Sequence, residues 1–200
     1  MTSNAGHVLF AGAATEAQAA GFAALCDSPD FAATWGLRTV AAGTPRFNPM
    51  GYHTGSIWPH DASLTVAGLC RYGEKRRAAR LAEGLFAASR EVRLRGLPEL
   101  CCGLDAGEPP RLVSYPSACS TQAWAAGSPF LCLKALIGLD IDMTREGEPV
   151  TLADPWLPDG IDRLDIERLP VAAAGRASIR VERTGSERFQ SEVALTGDKT

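Results

Sequence analysis

Nowhere does the 200-residue chain hold about 18 uninterrupted apolar residues, the length a membrane-crossing helix needs. Charge of one sign is also lacking. Twenty Lys and Arg against 23 Asp and Glu leave a net charge of -3, which gives no bulk attraction to nucleic acid or an anionic membrane surface, so neither is expected as a partner. Histidine is scarce, and His7, His53 and His60 form no HExxH or HxxxH array. Cys26, Cys70, Cys101, Cys102, Cys119 and Cys132 follow no metal-ligand spacing, and the adjacent pair Cys101-Cys102 could bridge to itself only under strain. Buried free thiols in a reducing compartment, and no metal, are therefore expected. GxSxG, Walker-type and dinucleotide-type glycine patterns are absent, which argues against serine-nucleophile and phosphoryl-transfer chemistry; no cofactor is expected. The N-terminal stretch MTSNAGHVLFAGAAT has neither the cationic start nor the long apolar core of a secretory leader, and a cytoplasmic location is expected.

What is present is the composition of a globular domain, 46% hydrophobic and 22% charged, with enough chain for a sizeable core. Helical signals dominate the first two thirds. Thr15 and Glu16 open an Ala-rich run that Asp27-Ser28-Pro29-Asp30 ends. A second helix starts between Pro59, tolerated in a first turn, and Asp61, and runs to Tyr72 before Gly73. Its successor covers about 74–92, with Ala78, Leu81, Ala82, Leu85, Ser89 and Val92 on one stripe and Arg76, Arg80, Glu83 and Arg90 opposite. The short connection makes the two an antiparallel αα-hairpin. Residues 121–138 read as a buried helix with Pro129 as a kink and Gly138 as the stop. Beyond about 150 the period falls to two, with Ile179-Val181 and Phe189-Val193-Leu195 alternating with polar neighbours, which predicts a few half-exposed antiparallel strands.

Two long stretches resist assignment to helix or strand, and loops of this length inside a compact domain are usually functional. The first, PRFNPMGYHTGSIWPHD (45–61), is broken by Pro45, Pro49, Gly51, Gly55 and Pro59, which frees Tyr52, His53, Trp58, His60 and Asp61 to line a cleft. Aromatic faces stack on the apolar side of a pyranose, and carboxylates and imidazoles bond its hydroxyls, so the composition suits a sugar site; an ordered loop plugging one end of a helical domain fits it as well. The second (94–120) adds the carboxylates Glu99, Asp105 and Glu108. Carboxylates paired across a cleft are what glycosidic cleavage needs, one protonating the leaving oxygen and the other acting on water or as nucleophile. Glu99, after Pro98 and flanked by Leu97 and Leu100, is the best placed; a simple pairing with Arg95 or Arg111 fits its position too.

NPMGYHTGSIWPHD (48–61), LPELCCG (97–103) and YPSACSTQAWAAG (115–127), with SNAGHVLFAG (3–12) and TWGLRT (34–39) before them, resemble in order and spacing the C-terminal portion of six-hairpin glycoside hydrolases of the bacterial glycogen-debranching, amylo-α-1,6-glucosidase type. The departures are Ala62-Ser63, where a polar Asn commonly follows the Asp, Cys101-Cys102, where an aromatic is usual, and Thr121, where Pro is common. The resemblance implies a mainly α fold: a partial (α/α)6 toroid over 1–145 with a short C-terminal β-strand appendage over 146–200. It also implies an inverting reaction on α-glucans or oligosaccharides, with Glu99 as general base acting on water across a carboxylate gap of about 6.5–9.5 Å. Tyr52, His53, Trp58, His60 and Asp61 would shape the sugar subsite, Gln122 and Trp124 would close it, and Arg38 would support them. The family's general acid, an aspartate, lies upstream of anything corresponding to Met1. A separate N-terminal barrel half is therefore an expected partner, and a non-catalytic carbohydrate-binding or assembly subunit is the alternative.

Overall fold

The computed structural model describes residues 1–105, 107, 111–119 and 122–196. Packing divides the chain into two compact units, Met1–Leu133 and Lys134–Thr200. Glu108 and Thr121 lie outside the described residues.

The first unit is organised around α3 (Pro59–Arg71). Pro59 fills the first helical position, Trp58 before it is extended, and Asp61 sits in the first turn, as the sequence predicts. Gly73, at φ +77°, supplies the left-handed turn that ends α3 and lets α4 (Lys75–Glu91) fold back against it. The contacting face of α4 is Ala78, Leu81, Ala82, Leu85 and Ala88, all buried, while Arg76, Arg80 and Arg90 are exposed. A shorter helix, α1 (Asn4–Phe10), crosses α3. Its sequence signal is weak because it spans two turns, contains Gly6 and has no side-chain cap. Close packing holds it instead: a Cβ at Gly6 would collide with the Thr65 side chain, and one at Gly68 would meet the backbone of α1. Next comes α2 (Glu16–Leu25), whose start is a full capping box between Thr15 and Gln18.

The long stretches between helices are less free than their proline and glycine content suggests. After the two-residue strands β1 (Ala32–Ala33) and β2 (Gly36–Leu37), single bridges place Arg38 beside Ile57, Ile57 beside Cys101, and Cys101 beside Ser114. Ile57 and Cys101 exchange both backbone hydrogen bonds at 2.9 Å. The two loops are thereby laid side by side over a core of Trp35, Ile57, Ala88, Leu97, Cys101 and Ala125. The last of these belongs to α5 (Ala123–Leu136), which carries Pro129 within it.

The second unit is sheet-rich. Strands β3 (Leu139–Ile141) and β4 (Val150–Leu152) pair antiparallel. A meander of β5 (Arg163–Pro170), β6 (Arg176–Gly185) and β7 (Arg188–Thr196) forms a three-stranded antiparallel sheet in that order. Its inward residues, among them Ala177, Ile179 and Val181, pack with Ile137, Val150, Leu157 and Val171. With five α-helices and seven strands among the described residues, the chain is not the mainly α partial toroid with a short strand appendage that the resemblance implies. The reason is visible in the period: alternation of apolar and polar residues runs through strands of eight to ten residues, enough to bury a sheet face of their own.

Candidate active site

Tyr52 is the hub where the two loops meet. Its hydroxyl donates to Glu99 Oε1 at 2.7 Å, across 47 residues of sequence. The other oxygen, Oε2, accepts from the Cys119 backbone N–H at 3.4 Å, while the Glu99 N–H donates to the Cys119 carbonyl at 3.0 Å. Glu99 is thus held by Tyr52 and by the 115–119 segment, not by Arg95 or Arg111. Its carboxylate favours the neutral form of its neighbour, and the Tyr52 phenol is pushed up to about 12 by that hydrogen bond.

Around this pair the aromatic residues of the first loop pack on one another. Trp58 is buried, with its indole N–H shared between the Tyr52 carbonyl and Ser56 Oγ, both at 3.0 Å. His53 stacks on it at 5.3 Å, and Tyr52 meets it edge-on at 4.9 Å. Tyr115 closes on Tyr52 edge-on at 5.5 Å. Trp58 is therefore the floor of the cluster, and Tyr52 and His53 stand on it.

On the far side His60 stacks face to face with Trp124 at 3.9 Å. Trp124 nonetheless remains 57% exposed, so its outer face is open as a platform. Burial holds the His60 imidazole below its usual value, against the opposing pull of Asp61 and Glu99 and with some help from His7. Its Nδ1 and the Gln122 Oε1 are both buried without a partner, polar atoms left over beside the platform.

Two of the expected residues are engaged elsewhere. Asp61 is buried and its Oδ1 bonds His7 Nε2 at 2.5 Å; its Oδ2 has no partner. Arg38 is buried and ties the loops together: Nε donates to the Gly103 carbonyl at 2.8 Å, Nη1 to the Pro29 and Asp30 carbonyls, and Nη2 to Asp105 at 2.5 Å. Arg38 therefore holds the second loop in place from beneath. Tyr115 and Cys119 join the cluster and His7 holds Asp61, none of them having stood out in sequence. Tyr115 and Cys119 lie within the YPSACS motif, whereas His7 had no signal beyond its place in SNAGHVLFAG.

Burial pushes the Cys26, Cys101 and Cys132 thiols up to about 12, which makes them poor nucleophiles. Among the described residues no group of three or more His, Cys, Asp or Glu is arranged to hold a metal ion, and no helix is long and apolar enough to cross a membrane. The chemistry on offer is that of a carboxylate bonded to a phenol, beside an exposed indole and an imidazole whose pKa burial lowers.

Residues 4–101 match the family model of the mannosylglycerate hydrolase MGH1-like glycoside hydrolase domain. The match runs from α1 to the bridge at Cys101, so it takes in His7, the whole aromatic loop and Glu99. A glycoside hydrolase-like domain is thus present, and a carbohydrate is the substrate it implies; the match does not single out debranching enzymes. No curated protein matches the chain.

Proposed function

We propose that this chain carries the base-bearing part of an inverting glycoside hydrolase site acting on α-linked glucans or oligosaccharides, of the glycogen-debranching type. The observation that carries the reading is the Tyr52–Glu99 hydrogen bond at 2.7 Å, which sets a loop carboxylate on an aromatic floor. A pyranose resting on Trp124 presents its hydroxyls to His53, His60 and Gln122 and its anomeric carbon to Glu99. Tyr52 fixes the carboxylate's direction, and Glu99 takes a proton from water as that water's oxygen bonds to the anomeric carbon. The glycosidic C–O bond breaks on the opposite face, and its electron pair leaves with an oxygen protonated by an acid that a segment outside these 200 residues supplies. The mannosylglycerate hydrolase named by the matching family makes small mannosides the first competing substrates to try.

Substituting Glu99→Gln in the enzyme reconstituted with its acid-bearing segment tests this. Turnover is expected to fall at least ~10³-fold while sugar affinity stays within a few-fold. Unchanged turnover sinks the assignment.

The alternative, a non-catalytic carbohydrate-binding or assembly subunit, has one observation in its favour: Asp61 and Asp105 are bonded to His7 and Arg38, so neither stands free as a second carboxylate. Sugar binding with no turnover under any reconstitution would select it.

A further inference from the structure

His7 and Asp61 are 54 residues apart, yet the crossing of α1 over α3 brings Nε2 and Oδ1 to 2.5 Å. The two ends of this bond differ in character. Asp61 is only 6% exposed, in the first turn of α3, and its second oxygen is buried without a partner. The His7 side chain is 42% exposed. Asp61 therefore has little access to a ligand, whereas the His7 side chain is partly open to solvent. A carboxylate bonded to one imidazole nitrogen fixes the tautomer and aims the other nitrogen. The pair also adjoins the cluster, since Asp61 directly follows His60 in the first turn of α3 and His60 stacks on Trp124 at 3.9 Å.

We infer that His7 is a further substrate-binding residue of the sugar site, hydrogen-bonding a substrate hydroxyl through Nδ1, and that Asp61 is a positioning residue that acts through His7. This rests on the glycoside reading above. It reassigns Asp61 from direct sugar contact to a supporting role, and it extends the site onto α1. The fit of α1 against α3 is what aims the imidazole: the Gly6 approach to Thr65 leaves no room for α1 to slide.

The test is an NMR titration of the full chain with maltotriose and, separately, α-mannosylglycerate, observing the histidine, tyrosine and tryptophan ring resonances. In the free protein His7 is expected to carry its proton on Nε2, and the sugar should shift His7 together with Tyr52 and Trp124. His7→Ala should weaken binding about 5- to 30-fold. Asp61→Asn should weaken it comparably and randomise the His7 tautomer, and the double variant should bind no worse than either single one. Shifts at Tyr52 and Trp124 with none at His7 overturn the inference and leave the sugar site standing, as do losses that multiply in the double variant. No shift anywhere with either sugar overturns both. The wild-type titration decides even where a substituted chain fails to fold.

Discussion

Gly103 is the point where the account is most exposed to a single methyl group. A Cβ there would fall inside the van der Waals envelope of the Gly55 carbonyl oxygen, whereas ordinary Cβ contact begins at 3.4 Å. The obstacle is backbone, which cannot swing aside, so the two loops must part by an amount on the order of 1–2 Å. Overpacking of this kind costs about 1–3 kcal/mol. Parting also breaks the hydrogen bond from the Gly103 N–H to the Pro49 carbonyl, 2.8 Å long, for about another 1 kcal/mol. Gly103→Ala is therefore expected to lose about 2–4 kcal/mol, a fall in melting temperature on the order of 10 °C by circular dichroism. Because Tyr52 and Glu99 lie on the separating loops, a displacement of about 1 Å should cost ~10²-fold in turnover or a matching loss of sugar affinity. The control is Gly127→Ala in α5, where nothing lies within 4 Å of the added methyl and the helix gains up to about 1 kcal/mol. A Gly103→Ala chain that melts with the wild type and binds sugar undiminished would refute the packing on which the site depends.

Two further outcomes follow from the same geometry. Tyr52 ionises at about 12 because Glu99 accepts its proton-bearing hydroxyl; near pH 11 its phenol should be roughly one-tenth ionised in the wild type and about nine-tenths in Glu99→Gln, where the value returns toward 10. Ultraviolet difference spectra at the tyrosinate band measure this, and identical spectra for the two proteins would count against the hydrogen bond. Of the free thiols, Cys119 is exposed and borders Glu99, while Cys26, Cys101 and Cys132 are held protonated by burial. A thiol reagent at pH 8 should show a fast phase that Cys119→Ser abolishes and saturating maltotriose slows; a fast phase indifferent to sugar would place the ligand elsewhere.

Much of the helical part was legible because its signals are local. Pro59 and Asp61 mark the start of α3, Gly73 its end, and the spacing of Ala78, Leu81, Ala82 and Leu85 the buried face of α4. What was hidden depends on contacts across long separations. α1 has no side-chain cap and a glycine as its third residue, and stands because Thr65 receives it. The ladder from Arg38 through Ile57 and Cys101 to Ser114 is made of single bridges, which leave no period to read. The sheet was underestimated because each strand alone looks like a short half-exposed segment, and only the pairing of β6 with both neighbours makes a buried face. In the candidate site, the clustering of Tyr52, His53 and Trp58 follows from their closeness within one loop. The burial of Asp61 and its bond to His7 could not be read, since only the crossing of α1 and α3 creates them.

The role of Glu99 is tested most directly by removing its carboxylate and supplying a nucleophile that needs no base. In the reconstituted enzyme, Glu99→Ala should be inactive on an α-linked glucoside, and added azide should restore turnover. The azide nitrogen bonds to the anomeric carbon as the aglycone leaves with its electron pair and a proton from the acid, so the product is a glycosyl azide of β configuration, identifiable by proton NMR. A Glu99→Ala enzyme that still hydrolyses at the wild-type rate, or one that binds sugar yet gives no azide adduct, would contradict the assignment of Glu99 as the base.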